Sequence, residues 1–166
     1  MNFKQLGISN DLVNTLNQMG IKNPTPIQEE AIPLIINKKD IIAQSQTGTG
    51  KTFAFLLPMF ENINPKDNSI QGLIITPTRE LAIQISEAAQ KLNETKNLNI
   101  LAAYGGKDIK SQLNKLKRNI HLVIATPGRL LDHLDRDSIN LSKLKTLVID
   151  EADQMLLMGF KNEMEA

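Results

Sequence analysis

The chain has 166 residues, 41% hydrophobic and 22% charged, enough for one core-bearing domain and unlike disordered, collagenous or disulfide-scaffold chains. It has no cysteine, which excludes disulfides, thiolate nucleophiles, iron–sulfur clusters and cysteine-built zinc sites; its two histidines, His121 and His133, stand twelve apart without an HExxH pattern. The net charge of +1 is unevenly spread, with nine basic against four acidic side chains in residues 107–145 and one against five in 146–166. Such a pattern fits a phosphate-backbone surface beside a metal-binding end, but on charge alone an ordinary solvated helix face is the better reading. No run approaches the roughly 18 apolar residues of a membrane span. The start, MNFKQLGISN, has neither a basic nor an apolar leader region. A soluble, cytoplasmic protein with no membrane partner is expected.

In chain order, Ser9 or Asn10 can cap a helix carrying Leu12, Val13 and Leu16, with Gly20 at its C′ position. Thr25 followed by Pro26 starts a second helix, since proline suits the first helical position. Short apolar runs follow at Asp40–Ala43, Gly72–Thr76, Asn99–Tyr104, His121–Thr126 and Lys145–Asp150, rich in Ile, Val and Leu. Helical spacing separates them, as in Arg79–Asn93, where Leu81, Ile85, Ala88 and Leu92 fall on one face. Strands apolar on both faces and alternating with helices imply parallel βαβ units, so the expected class is α/β with a parallel sheet. Ligands of such sheets sit at the carboxyl ends of the strands. The asparagine-rich stretch 62–69 reads as a surface loop, and there is no internal repeat, low-complexity tract or linker.

After the first expected strand comes Ser45, Gln46, Thr47, Gly48, Thr49, Gly50, Lys51 and Thr52. A glycine-rich turn running into a helix presents backbone N–H groups to phosphate oxygens. Lys51 would reach the β- and γ-phosphates, and the Thr52 hydroxyl would ligate Mg²⁺. The strict phosphate-loop pattern wants glycine where Ser45 stands, so the match is one position short. The second element is LVIDEAD at 147–153, which places two carboxylates at a strand's carboxyl end. Asp150 would hold Mg²⁺ through water, and Glu151 would polarise the attacking water as general base. The first element reads as phosphate-binding by itself, and the acidic pair alone would be an ordinary cap for the next helix. The two together on one sheet are far more specific and read as a nucleoside-triphosphatase site.

AQSQTGTGKT, PTRELA at 77–82, TPGR at 126–129 and DEAD at 150–153 stand in an order and spacing that resemble the DEAD-box family of ATP-dependent RNA helicases, in the first of its two RecA-like domains. The resemblance implies a three-layer α/β/α fold, ATP and Mg²⁺ as cofactors, and RNA-stimulated ATP hydrolysis coupled to local duplex unwinding or ribonucleoprotein remodelling. It implies that residues 1–36 form a helical extension with the adenine-recognising Q motif and that 37–166 form part of the first RecA-like domain. Within the first, Gln28 of PTPIQ would hydrogen-bond the adenine edge, and Phe3, seventeen before Gly20, would pack on the base. Ile21 departs from the family's usual aromatic. Without the resemblance, Gln28 would be a solvated helix residue and Phe3 a core residue.

For single-stranded or duplex RNA, the resemblance points to Pro77, Thr78 and Arg79, to Gly105 and Gly106, and to Thr126, Pro127, Gly128 and Arg129. Backbone amides and arginines suit contact with the sugar-phosphate backbone and predict salt-dependent binding without base reading. Asp153 would couple the DEAD motif at 150–153 to others. The family's Ser-Ala-Thr element is not found, nor is a second RecA-like domain, where the family keeps its arginine finger; the four arginines are at 79, 118, 129 and 136. A truncated domain, incomplete at its C-terminus, of marginal stability and with negligible turnover of its own is therefore expected. The alternatives are a nucleotide- or RNA-binding module without turnover, and a phosphate-loop ATPase acting on protein. Gln28, Phe3, PTRELA and TPGR speak against the last.

Overall fold

The computed structural model describes residues 2–39, 50–94, 96–106 and 108–151; the expected strand Asp40–Ala43, the residues Ser45 to Thr49, and Asp153 lie outside them. The elements run α1 (Asn10–Gln18), α2 (Pro26–Ile36), α3 (Lys51–Asn62), β1 (Gly72–Ile75), α4 (Arg79–Leu92), β2 (Ile100–Ala103), α5 (Ile109–Leu116), β3 (Leu122–Ala125), α6 (Pro127–Asp135) and β4 (Thr146–Ile149). They group into two compact units, one of Met1–Ile63 with Ala88–Asn97, the other of Asn64–Glu87 with Leu98–Ala166.

The first unit is helical. Ser9 stands at the N-cap of α1 in extended conformation, and Gly20, at φ +81°, follows the C-cap Met19 as expected. The Ser9 hydroxyl makes no cap bond; instead its N–H donates to Oε1 of Glu61, late in α3, at 2.7 Å. Thr25 caps α2, with Pro26 in the first turn. Helix α3 is buried from Ala54 through Phe60, the signature of a helix with no solvent face over its middle. Its last turn leaves carbonyls without helical partners, and the half-buried Lys96 ammonium donates to those of Phe60, Glu61 and Ile63. Burial lowers the Lys96 pKa, with Glu61 opposing the shift.

The second unit is a parallel sheet in the order β2-β3-β1-β4, with Gly72 paired to Leu122 and to Thr146, and Ile100 to Leu122. Every residue of β1 and β3 is buried, which is why these strands read as continuous apolar runs rather than alternating ones. On one face Leu73, Ile75, Leu101, Ala103, Val123 and Ala125 pack with Leu130, and Leu116 of α5 and Leu134 of α6 flank them. Strand β4 is less covered, with Leu147 52% exposed.

Two expectations need correction. The buried stripe of α4 is Ala82, Ile85 and Ala89 with Leu92, while Leu81 and Ala88 are only half-buried. Both stripes satisfy helical spacing and share Ile85 and Leu92; the buried one takes two alanines that are 0% exposed in place of Leu81 and Ala88. The stretch 62–69 is only partly loop, since Asn62 closes α3. The rest is organised by the fully buried amide of Gln71, whose Oε1 accepts the Asn64 N–H and whose Nε2 donates to the carbonyls of Asn64 and Asp67. Within it the Asp67 carboxylate accepts from the Ser69 N–H and hydroxyl, and the hydroxyl bond holds the Asp67 pKa below its ordinary value.

Candidate nucleotide and nucleic-acid sites

In the first unit Gln28 meets Gly50, where α3 starts with Lys51 and Thr52. Gly50 is the N-cap, in the left-handed region at φ +85°, and Lys51 and Thr52 occupy the first turn. A Cβ at Gly50 would lie 2.5 Å from Nε2 of Gln28 and 2.9 Å from Oγ1 of Thr25, so conformation and space both require glycine. Gln28 is 2% exposed, not the solvated helix residue its position alone suggests. It completes a capping box: its Oε1 accepts the Thr25 N–H at 2.9 Å, and its own N–H donates to Thr25 Oγ1 at 3.4 Å. Its Nε2 then donates to the Gly50 carbonyl at 3.0 Å. One amide thus ties the start of α2 to the residue that opens α3. The T-x-x-Q spacing at 25–28 carried this capping signal in the sequence. Phe3 is 2% exposed, so its ring lies in the core of this unit, and its carbonyl accepts the N–H groups of Leu6 and Ile8.

In the second unit the other described candidates follow the carboxyl ends of the strands. Asp150 follows β4, is buried, and donates its N–H to the Ile75 carbonyl at 2.8 Å. Glu151 adopts φ +54°, an uncommon conformation for a residue with a side chain and a sharp turn directly after the strand. Among the described residues, no group of three or more His, Asp or Glu could hold a metal alone. The Thr52 hydroxyl in the first unit and the Asp150 carboxylate in the second are each a hard oxygen donor of the kind Mg²⁺ takes.

Beyond β1, Pro77 is buried and Thr78 caps α4, its Oγ1 accepting the Leu81 N–H at 3.2 Å. Arg79 is exposed and lies over Gly106: a Cβ there would meet its Nη1 at 2.6 Å, and Gly106 has φ +85°. The arginine of PTRELA and the glycine pair after β2 are therefore neighbours. Gly105 and Gly128 have nothing within 4 Å of the space a Cβ would fill. Beyond β3, Thr126 is the N-cap of α6 and forms no side-chain cap bond, Pro127 is buried in the first turn, and Gly128 and Arg129 follow. The backbone N–H groups of such a turn are unpaired within the helix and favour anions.

Residues that sequence reasoning passed over stand behind this surface. Gln112, on α5, and His133, on α6, are 1% and 0% exposed. Gln112 Oε1 accepts from His133 Nε2 at 2.8 Å and from Arg129 Nη1 at 3.3 Å, and Gln112 Nε2 donates to the Tyr104 carbonyl at 3.2 Å. His133 Nδ1 meets Ser138 Oγ at 2.8 Å. Burial, then the neighbouring Arg129, lowers the His133 pKa, with Asp132 opposing and Arg136 adding to the shift. No local periodicity marks these side chains, because their partners lie on separate elements. At the other end of the strands, the segments leading into β1, β3 and β4 line a cleft of ≈ 630 Å³ that includes Lys66, Lys117, Arg118 and Lys143. None of the candidate residues lines it.

A parallel sheet with polar residues and glycines at its strands' carboxyl ends, and a left-handed glycine opening a helix on Lys-Thr, is the architecture of phosphate-loop nucleotide-binding proteins. The sequence model of the DEAD/DEAH box helicase family matches residues 25–166, and the chain belongs to that family. It is 52% identical over 163 residues to the ATP-dependent RNA helicase CshA of Listeria monocytogenes, covering 98% of this chain and 31% of that protein. The DEAD-box ATP-dependent RNA helicase CshA of Bacillus subtilis is 49% identical over 164 residues, covering 99% of this chain and 33% of the relative. The chain thus spans about a third of the length of these curated relatives. The crystal structure of a DEAD box protein from the hyperthermophile Methanococcus jannaschii superposes with a TM-score of 0.94 at 44% identity, over 99% of this chain and 45% of the other. The fold is that RecA-like α/β architecture.

Proposed function

We propose that the chain forms the ATP-binding and part of the RNA-binding machinery of an ATP-dependent RNA helicase, the activity for which the Listeria and Bacillus relatives are named. The observation that carries this reading is the start of α3, where a left-handed glycine held by Gln28 sets Lys51 and Thr52 in the first turn. Lys51 would neutralise the β- and γ-phosphates, and residues Ser45 to Gly50 would supply backbone donors. Gln28 would read the adenine edge as a Q motif, and Phe3 would support the base from the core side. Thr52 and Asp150 would hold Mg²⁺, which when bound neutralises charge developing on the phosphates. Glu151 would accept a proton from the attacking water. Asp153 would couple this motif to others.

Arg79 with Gly106, Gly105, and the turn Thr126–Arg129 would hold successive phosphates of RNA, with Pro77, Thr78 and Pro127 shaping the backbone they present. We assign 1–36 as the adenine-reading extension, 37–166 as part of the first RecA-like domain, and the cytoplasm as the location. A second RecA-like domain is the expected partner for turnover. An arginine finger is worth about 10³–10⁵ in rate in related hydrolases, so these residues by themselves should bind nucleotide and hydrolyse it negligibly.

The test is phosphate release from Mg·ATP by the purified chain with and without single-stranded RNA, alongside nucleotide binding. Lys51→Ala should abolish binding, and Glu151→Gln should retain it. If both variants bind like wild type, the site assignment is wrong. RNA-stimulated turnover that disappears in Glu151→Gln would show that the chain needs no second domain.

A further inference from the structure

We propose that Gln112 is a positioning residue for RNA binding, clamping Arg129 and the backbone before the Gly105–Gly106 pair at a fixed spacing, with His133 as the partner that orients its amide. The inference rests on the RNA-contact reading above and adds two residues to it. Gln112 sits on α5, outside every segment read as a contact, yet each end of its amide is aimed at one of those segments. The oxygen accepts from Arg129, in the first turn of α6; the nitrogen donates to the carbonyl of Tyr104, the residue directly before Gly105.

The chemistry leaves no choice of amide orientation. An arginine nitrogen can only donate, so the atom facing it must be oxygen, and the NH₂ must face the Tyr104 carbonyl. His133 Nε2 donates to the same oxygen at 2.8 Å and fills its second lone pair. On the far side of the ring, Ser138 Oγ lies 2.8 Å from Nδ1 and 3.0 Å from the His133 carbonyl. Gln112 and His133 are themselves closed to water, so the amide cannot rotate without breaking bonds that its own atoms cannot replace, and each loss is costly. A space-filling role would be met by any side chain of this volume. What this network adds is direction: the Arg129 side chain and the glycine-pair backbone are held relative to each other before RNA arrives, lowering the cost of ordering them on binding.

The experiment is a titration of a short fluorescein-labelled oligouridylate with the 166-residue chain, followed by anisotropy at several salt concentrations, for wild type, Arg129→Ala, Gln112→Met and the double variant. Gln112→Met keeps the volume and removes the amide. Arg129→Ala should weaken binding roughly tenfold, as for a lost charge-assisted hydrogen bond, and flatten the salt slope by about 0.7, the single-strand value for one phosphate. Gln112→Met should weaken binding severalfold and flatten the slope in the same direction, with an unchanged affinity for nucleotide. The double variant should be no more than about twofold weaker than the poorer single one, because both changes disable one arginine.

Losses that multiply, or a Gln112→Met chain that binds RNA like wild type, would overturn the positioning role while leaving the RNA reading intact. Wild-type affinity in Arg129→Ala would overturn the RNA role of Arg129, and this inference with it. If Gln112→Met does not fold, Gln112→Asn replaces it: the shorter amide cannot span both partners, and the same loss and non-additivity are expected.

Discussion

Replacing Gln28 by leucine removes an amide that makes two side-chain bonds from a position 2% exposed, while keeping nearly the same volume. Losing Oε1 undoes half of the capping box and leaves the Thr25 N–H to partial solvent, a loss of about 1 kcal/mol. Losing Nε2 takes one of two donors from the Gly50 carbonyl, which still accepts the Ala54 N–H at 3.2 Å, so about 0.5–1.5 kcal/mol. Added burial of the leucine methyls offsets part of this, so the expected net loss is about 1–2 kcal/mol. For a chain of this length that lowers the thermal midpoint by roughly 2–8 °C. Urea unfolding followed by circular dichroism measures it, and a loss below about 0.5 kcal/mol would refute the accounting. Gln28→Glu separates donor from shape. Its carboxylate still accepts from Thr25 but turns an oxygen toward the Gly50 carbonyl. Burial and that carbonyl raise its folded pKa above the unfolded value of about 4.3, so its stabilising bond is present below that pH and lost as pH rises through the folded pKa. The variant should match wild type near pH 4 and fall behind at neutral pH. A deficit independent of pH would mean that the bond to Gly50 is not what Gln28 supplies.

The glycines of the proposed RNA surface should divide by the space around them. Gly128→Ala, in the first turn of α6 with nothing within 4 Å of the added carbon, should stabilise the chain by about 0.5–1 kcal/mol and weaken RNA binding, because the methyl fills the approach to the backbone; equal or tighter RNA binding would remove Gly128 from the contact. Gly106→Ala should cost about 1 kcal/mol from its positive φ alone and displace Arg79, so stability and RNA affinity should fall together in unfolding and anisotropy measurements. His133 is held neutral by burial and Arg129, its folded pKa below the unfolded value of about 6.5. Its contribution is therefore present above that pH and lost as pH falls through the folded pKa, with a slope of up to about 1.4 kcal/mol per pH unit. Unfolding free energy measured from pH 8 to 5 should lose this slope in His133→Gln, and an unchanged pH profile would show that His133 does not titrate on unfolding.

The sheet was legible because parallel strands covered on both faces leave continuous apolar runs, and the four described strands lie within the runs read from sequence. Their partners were not, since the order β2-β3-β1-β4 is set by crossovers that no local spacing encodes. The helix starts at Ser9 and Thr25 were legible from residue type, which is local, although only Thr25 makes the expected cap bond. The buried face of α4 was misjudged, because two alanines carry less pattern than the leucine beside them. Gln112, His133 and Gln71 left no signal at all. Each buries an amide or imidazole whose partners come from other elements or from an irregular loop, so only coordinates reveal that the polar groups are satisfied.

The structural role of Gln28 can be tested against the adenine contact proposed for it. An amide has two N–H donors and an oxygen with two lone pairs. The capping box occupies one lone pair and the Gly50 carbonyl one N–H, so one of each is left over, the kinds of group that the proposed adenine contact would use. Reading the base would then not require release of the cap, and nucleotide should add to the stability of α2 and α3 rather than exchange with it. Amide hydrogen exchange at Thr25 and across the first turn of α3 decides the matter. Slower exchange with ADP would fit a shared amide, whereas faster exchange at Thr25 would mean that the base takes Gln28 away from its helix.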